Sequence, residues 1–264
     1  MNQSKLLNFS LAGAVLIAIF VWSTVVQNIS ASVESGGAKI SFLDVGQGDA
    51  TLISLPQNKQ ILIDTGKKGT LLEQLKKRMP AFDQEIEAVF LTHPDSDHIG
   101  SFESLTDSYR INKVYYNWDS NSQTAKKVDE IVANKKIQKD TPVSGRDYFF
   151  DSLVIETLWP DNNSTSLSDN NRSLVLKVKV DKARALLTGD IEVEGQNRLI
   201  NKGADLEADL LKFPHHGSTG AYSEPFIYKV APQNVIISVG PNSYGHPSKS
   251  VIEGLSKLHL RIFR

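Results

Sequence analysis

The segment from His93 to His98, with the sequence HPDSDH, constrains this chain more than any other feature. Two histidines and two aspartates fall within it, directly after the apolar run 88–92. That run has the composition and length of a buried strand, so the segment is predicted to lie at a strand end. Asp and Ser also cap helices, but a cap needs one such residue and not four potential ligands. We therefore predict a metal site here.

The spacing inside this segment suits two ions. Histidine nitrogen and carboxylate oxygen both bind zinc at about 2.0–2.2 Å. In an extended turn His93 and Asp95 project to one side, whereas Asp97 and His98, where a helix begins, project toward a neighbouring point. One short loop can thus serve two cations about 3.5–4 Å apart. We predict all four side chains as metal ligands.

Further ligands must come from elsewhere in the chain. Asp190 ends a strand and opens a helix, where a carboxylate can bridge two cations, although alone it would suggest a helix N-cap. His215 and His216 follow the strand-like run 210–213. Adjacent histidines point in different directions in extended chain, so one is predicted to bind metal and the other to face the substrate or second ion. The sequence leaves open which.

Other polar residues at strand ends are candidates for supporting roles. Asp64 is predicted to orient a ligand histidine. His246 lies in a loop after a strand and is predicted to donate to a bound anion, with Ser218 as a further substrate contact. Asp97 or Asp190 is predicted to orient the attacking water, which makes both catalytic candidates together with His246.

The composition excludes some kinds of metal site and nucleophile. The chain of 264 residues has no cysteine, which excludes thiolate metal ligands, cysteine nucleophiles and disulfides. Its formal net charge of -1 lacks the strongly basic balance typical of nucleic-acid-binding proteins.

The first residues differ from the rest. Residues 6–26 carry no charge, and their length matches the roughly 30 Å of a bilayer core. Lys5 just before them favours an N-terminus on the inner side. We predict an uncleaved single-pass membrane anchor over residues 1–37, with the linker included, and one extracytoplasmic domain over residues 38–264. A cleaved signal peptide, which would leave a secreted domain, is the alternative.

The domain alternates strand-like and helix-like pieces, a pattern typical of two packed sheets with helices outside. Strands are predicted at 39–45, 50–55, 60–64, 86–91, 153–158, 173–180, 184–187, 210–213 and 234–239, and helices at 71–79, 123–134, 192–202 and 248–258. Residues 161–171 are predicted to form a surface loop.

Seven stretches together resemble the metallo-β-lactamase superfamily, in the branch that forms the C-terminal domain of ComEC-type competence proteins. They are FLDVGQGDA (42–50), DTG (64–66), LTHPDSDHIG (91–100), NNRSLVL (170–176), LLTGD (186–190), FPHHGS (213–218) and SVGPNSYGHPS (238–248). The resemblance implies an α/β fold, an αββα four-layer sandwich with two divalent metal ions at the sheet edges. It places His93 and Asp95 on one ion, Asp97 and His98 on the other, and Asp190 between them.

The chain departs from the superfamily pattern in its ligands. Most members have a histidine where this chain has Asp95, and another histidine in the middle of the domain. Here the middle region offers Asn170, Asn171 and Ser173 instead. Such an oxygen-richer ligand set shifts the expected metal from zinc toward manganese.

The resemblance implies a phosphodiesterase or nuclease that acts on DNA during uptake, with Lys67, Lys68 and Arg172 as candidate phosphate contacts. One alternative is a cell-surface phosphoesterase, such as a phosphorylcholine esterase. It would use aromatic side chains to bind the choline cation, and the candidates are Tyr115, Tyr116, Trp118 and Tyr244. Another is a membrane-tethered binding protein that has lost turnover.

Overall fold

The structure, a computed structural model, describes residues 37–264. The first half of this part contains strands β1 (Lys39–Phe42), β2 (Thr51–Leu55), β3 (Lys59–Ile63), β4 (Glu85–Phe90), β5 (Arg110–Tyr115) and β6 (Gln138–Asp140), with helices α1 (Leu71–Lys76), α2 (Ser96–Ile99), α3 (Phe102–Ser108) and α4 (Gln123–Asn134). The second half contains strands β7 (Asp147–Phe150), β8 (Leu153–Trp159), β9 (Val175–Val180), β10 (Ala183–Leu187), β11 (Leu210–Lys212), β12 (Asn234–Ile236) and β13 (Arg261–Phe263), with helices α5 (Val193–Asn201), α6 (Glu224–Val230) and α7 (Lys249–Lys257).

These strands form two mixed sheets in chain order. The first sheet runs β1-β2-β3-β4-β5-β6, antiparallel from β1 to β3 and parallel from β3 to β6. The second runs β13-β12-β11-β10-β9-β8-β7, antiparallel from β7 to β10 and parallel from β10 to β13. Each half of the molecule therefore begins as an antiparallel meander and ends as parallel strands.

Alternation along the strands buries both faces of each sheet. On β2, Leu52 packs into a core shared with the helices of the first half, whereas Ile53 packs into the core between the sheets. On β10, Leu186 faces the helices of the second half and Leu187 faces the other sheet. Because side chains on a strand alternate between its two faces, this pattern produces three cores and hence four layers.

The αββα arrangement expected from the sequence is present in the described residues. Helix α4 has the predicted bounds, and α5 and α7 each begin and end one residue inside theirs. Strands β5, β6, β7 and β13 and helices α3 and α6 were not predicted. The predicted anchor at residues 6–26 lies outside the described part. Within residues 37–264 no helix is both long and apolar enough to span a bilayer.

Candidate metal centre

The predicted ligands meet at one edge of the two sheets, where parallel strands end. The loop after β4 carries His93 and Asp95, and the short helix α2 that follows it carries Asp97 and His98. The loop after β10 carries Asp190, and the loop after β11 carries the two adjacent histidines. Because carboxyl ends of parallel strands converge on the same edge of a sheet, residues far apart in the chain are brought together there.

Asp190 lies at the centre of the cluster. One of its carboxylate oxygens is 3.2 Å from His98 Nε2, and the other is 3.5 Å from His216 Nε2 and 3.9 Å from His93 Nε2. Its side chain is almost completely buried. Asp190 therefore touches both halves of the cluster, as a residue between two ions must.

The two aspartates of the segment lie on different sides of the cluster. Asp95 lies on the side of His93, with Oδ2 3.6 Å from His93 Nε2. Asp97 lies on the other side, with Oδ2 3.2 Å from His216 Nε2. The side chain of Asp95 is about half exposed, whereas His93 and His98 are buried. The metal-ligand assignments themselves stay predictions.

Asp64 sits directly behind His98. Its Oδ2 is 2.8 Å from His98 Nδ1 and accepts a hydrogen bond from the Thr92 hydroxyl, while its Oδ1 accepts from the Thr92 backbone N–H, each at 2.8 Å. A carboxylate held in this way fixes the His98 ring so that Nε2 faces the cluster. This is the geometry expected of the predicted orienting residue.

The two adjacent histidines differ sharply in burial. His216 is buried, its Nδ1 lies 2.9 Å from the Ser238 carbonyl oxygen, and its Nε2 faces Asp97 and Asp190. His215 is partly exposed at the rim and has Glu192 3.2 Å from its Nδ1. Both have left-handed backbone angles, with φ of 48° and 52°, an uncommon state for non-glycine residues that turns the two rings apart.

Several buried polar atoms of the cluster have no hydrogen-bond partner among the described residues. They are His93 Nε2, His98 Nε2, His216 Nε2 and Asp190 Oδ1. Leaving such atoms unpaired in a protein interior is costly, so their convergence calls for a ligand. Potential metal-ligand atoms form overlapping groups of three, and within each group the atoms lie within 4.8 Å of one another. Two of these groups are His93 with His98 and Asp190, and Asp97 with His98 and His216. These buried groups fit a binuclear metal site.

Two residues beside the cluster were not predicted from the sequence. Lys212, on β11, is buried and pairs with Asp49. Asp49 lies 3.9 Å from His98 Nδ1 and 3.8 Å from His216 Nδ1. A lysine at the end of an apolar strand gives no sequence signal for such a role. Asp49 falls within the FLDVGQGDA stretch, so position in that motif was the only available hint.

The charged groups of the cluster strongly shift one another's pKa values. Desolvation opposes charge on Asp190, but His98 and His216 outweigh it and hold the pKa of Asp190 well below its usual range. Burial likewise opposes charge on His98, yet Asp190 and Asp64 raise its pKa well above normal. For Asp97, burial is outweighed by the hydrogen bond to His216 and the charge of His98, which lower its pKa to about 2. Asp97 and Asp190 are therefore ionised across the physiological range.

The remaining candidates surround the cluster. Ser173 is buried and its hydroxyl accepts from the Asp190 N–H at 3.1 Å, so it positions Asp190. Ser218 accepts from Gly220 N–H within its own turn. The His246 ring centre is 5.7 Å from that of His215. Asn170 belongs to a short 3-10 helix just before Ser173, and the structure shows no side-chain hydrogen bond for it.

Glycines allow the loops of the site to pack tightly. Gly48 has φ of 138°, and a Cβ there would lie 2.2 Å from the Asp97 carbonyl oxygen. Gly189 has φ of 50°, and a Cβ there would lie 2.8 Å from Ser173 Cβ. A side chain at either position would displace the backbone beside Asp97 or Asp190.

Three of the four aromatic residues considered for choline binding are buried or partly buried. Tyr115 packs between the sheets, and Tyr116 is buried against Trp118 with ring centres 4.1 Å apart. Tyr244 is 73% exposed and lies beside His246. An aromatic cage of the four is therefore absent from this arrangement.

The fold has two mixed sheets flanked by helices, and a buried His/Asp cluster lies where parallel strands end. This combination is typical of metal-dependent hydrolases. Residues 43–240 match the metallo-beta-lactamase superfamily, and the chain belongs to that superfamily. In fold it resembles the metallo-beta-lactamase fold protein YhfI from Bacillus subtilis, with a TM-score of 0.58 and 13% identity over 86% of this chain and 96% of that one.

Within the superfamily the chain is related to competence proteins, so the resemblance found in the sequence is confirmed. It is 31% identical to ComE operon protein 3 of Bacillus subtilis (strain 168) in an alignment of 256 residues, and the match covers 87% of this chain and 32% of that protein. It is 27% identical to competence protein ComA of Neisseria gonorrhoeae over 223 residues, 83% of this chain and 30% of that protein. The chain thus spans about a third of the length of these relatives.

Proposed function

We propose that this domain is a metal-dependent phosphodiesterase that cleaves DNA outside the cytoplasm. The observation that carries the proposal is a pair of half-sites that share the buried Asp190 carboxylate. His93 and Asp95 form one half-site, and Asp97 and His98 belong to the other. When bound, two divalent cations, Zn²⁺ or Mn²⁺, lower the pKa of a water and neutralise charge on a phosphoryl group.

The residues of the chain divide the remaining work. His216, which is buried and faces both Asp97 and Asp190, is assigned as a metal ligand, and His215 at the rim faces the substrate. Asp97 is ionised and orients the attacking water. Burial and the neighbouring His215 lower the pKa of His246. Its ring is therefore neutral near pH 7 and donates an N–H hydrogen bond to a phosphate oxygen.

DNA as substrate is supported by the relationship to a protein named for competence and by the ComEC-type motifs. With a net charge of -1, attraction to the phosphate backbone must come from local cations. Arg172 is one: it is buried, and no carboxylate within residues 37–264 lies within ion-pair distance of it. Arg172 directly precedes Ser173, whose hydroxyl accepts a hydrogen bond from the Asp190 N–H.

Cleavage of labelled single- and double-stranded DNA in the presence of Mn²⁺ or Zn²⁺ tests this proposal. The wild-type protein is expected to cut at least one form, and Asp97→Ala is expected to abolish cutting. Asp107→Ala removes an exposed carboxylate remote from the cluster and serves as the matched control. Equal cutting by wild type and Asp97→Ala would refute the nuclease activity. A metal-replete wild type that is inert on phosphodiesters and phosphomonoesters would favour a binding protein.

We also propose that residues 6–26 anchor the domain in the cell membrane, with residues 38–264 outside the cytoplasm. The charge-free sequence of that segment and Lys5 before it support this placement. Fusion of alkaline phosphatase after residue 264 is expected to give an active, membrane-associated enzyme. An inactive fusion recovered in the soluble cytoplasmic fraction would contradict the anchor.

A further inference from the structure

The loop formed by residues 240–247 holds an exposed tyrosine at the rim of the metal centre. Asn242 organises this loop: its amide donates to the carbonyl oxygens of Gly240 and His246, and its Oδ1 accepts from the N–H groups of Tyr244 and His246. These four hydrogen bonds lie between 2.8 and 3.1 Å. The loop is therefore internally braced rather than free to move.

Both ends of the same loop are packed against other parts of the site. A Cβ at Gly240 would lie 2.4 Å from the backbone of Gly46, and one at Gly217 would lie 2.6 Å from Pro247. Ser248 N–H donates to the Gly217 carbonyl at 2.9 Å. The loop thus holds a fixed position relative to the two histidines at 215 and 216.

The exposed ring is the outer member of a row of aromatic rings that leads to the cluster. The rings of Tyr244 and His246 are nearly parallel, at 19°, with centres 5.9 Å apart. His246 lies edge-on to His215 at 5.7 Å, and His215 Nε2 is 3.9 Å from Asp190. One side of the Tyr244 ring is therefore supported by His246, and 73% of the side chain faces solvent.

We infer that Tyr244, backed by His246, is a stacking platform for a nucleobase of a single-stranded nucleic acid whose phosphodiester lies at the metal centre. This inference rests on the proposed function and names a recognition element for its substrate. Aromatic faces beside a phosphate-binding centre bind bases by stacking, and they tolerate any base because each has a π-face. The platform adds affinity per nucleotide that the near-neutral charge of the chain does not supply.

A base fits this surface better than a quaternary ammonium group. Cation recognition by aromatic residues uses several rings around one charge. Tyr115 and Tyr116 are buried and Trp118 is partly buried against Tyr116, so of the four candidates only Tyr244 is largely exposed. A single flat ring on a braced loop suits a planar partner.

Binding to cleavage-resistant oligonucleotides tests the platform separately from catalysis. The probes are fluorescent phosphorothioate single strands of about ten nucleotides, within the usual span of single-strand sites. One carries bases and the other has abasic residues at every position. Fluorescence anisotropy is measured with the Zn²⁺-loaded wild type, Tyr244→Ala, Tyr244→Trp and Tyr228→Ala, the last being an exposed tyrosine on α6 that serves as the control.

The wild type, Tyr244→Trp and Tyr228→Ala are expected to bind the base-bearing strand roughly tenfold more tightly than the abasic one, and Tyr244→Ala is expected to lose that preference. A wild type without the preference, or Tyr244→Ala that retains it, would overturn the inference. A rise in KM for p-nitrophenyl phosphorylcholine on Tyr244→Ala, with oligonucleotide binding unchanged, would overturn it in favour of a cationic head group. If the base preference is present but natural DNA is not cleaved, the platform stands and the proposed nuclease activity fails.

Discussion

The two halves of the molecule build the metal centre in different ways, although their sheets share one plan. Each half has an antiparallel meander followed by parallel strands. The first half places four candidate ligands in the single segment formed by the loop after β4 and helix α2. The second half contributes Asp190 after β10 and His216 after β11, with the partner of His216 located after β12. The candidate ligands of the first half therefore come from one short segment, whereas those of the second half come from the ends of separate strands.

The halves also differ in how they orient their imidazoles. In the first half the Asp64 carboxylate holds His98, whereas in the second a backbone carbonyl, that of Ser238, holds His216. A carboxylate adds negative charge behind the ring and raises the basicity of the ligand. The orientation of His98 therefore depends on a side chain that a mutation can remove. The orientation of His216 depends on the position of the backbone at Ser238.

Asp190→Asn is expected to have the largest effect, because this carboxylate is shared by both half-sites. The change keeps the side chain's size and removes its charge. Loss of a residue that only hydrogen-bonds a metal ligand already lowers metal affinity about 10- to 100-fold. We therefore expect Asp190→Asn to lower metal affinity by more than about 100-fold. Elemental analysis after dialysis measures it, with Asp107→Asn as control. Retention of two ions per chain by Asp190→Asn would contradict the shared role.

The Asp49–Lys212 pair joins the two halves beneath the centre. Lys212→Met leaves the Asp49 charge buried without its partner, so we expect a loss of about 3–5 kcal/mol in the free energy of unfolding. Urea denaturation of the metal-stripped protein measures this loss. The double variant Lys212→Met with Asp49→Asn should recover much of the stability, since no isolated charge remains. Equal stability of Lys212→Met and wild type would show that the pair does not hold the halves together.

The difference in imidazole orientation gives a matched test. Asp64→Asn is expected to weaken metal binding about 10- to 100-fold, because His98 loses its carboxylate partner. Ser238→Ala keeps the backbone carbonyl that holds His216 and is expected to bind metal as the wild type does. Competition with a chromogenic chelator measures both affinities. If both variants weakened binding equally, the proposed contrast between the halves would be wrong.

The pH dependence should be the smallest effect. Burial lowers the pKa of His98 and of His216, but Asp190 and other carboxylates outweigh it and raise both. Their protonated forms therefore stabilise the apo fold below pH 6.5, and this contribution is lost as pH rises through the raised pKa values. Metal needs the neutral imidazole, so its affinity should rise roughly tenfold per pH unit for each proton displaced. Calorimetry in buffers of different ionisation heat counts those protons, and none released would contradict the assignment.

The first half of the site could be predicted from the sequence because its candidate ligands lie within one short segment. His93 to His98 needed only one strand end to be recognised, and Asp64 followed from the same reasoning. The choice between His215 and His216 could not be made, because two successive left-handed residues, rather than an extended chain, set their directions. The role of Lys212 could not be predicted, because its side chain points into the space between the sheets only as a result of the register of β11 with β10 and β12.

The missed elements have a similar explanation. Strand β5 contains Arg110, Asn112 and Lys113, so its apolar content is low. It forms because it extends the parallel part of the first sheet beside β4. Helix α6 is only a short run that depends on a Ser223 cap and on packing into the core of the second half. Tertiary contacts decided both.

The sequence by itself determined the class of fold, the presence of a His/Asp metal site and the relationship to competence proteins, because periodic burial and local ligand spacing are written in short stretches. Only the tertiary structure decided that Asp190 reaches both half-sites, that His216 is buried while His215 lines the rim, and that Asp49 pairs with Lys212. These facts depend on how two sheets meet at one edge, and distances between residues remote in the chain are set by packing rather than by sequence spacing.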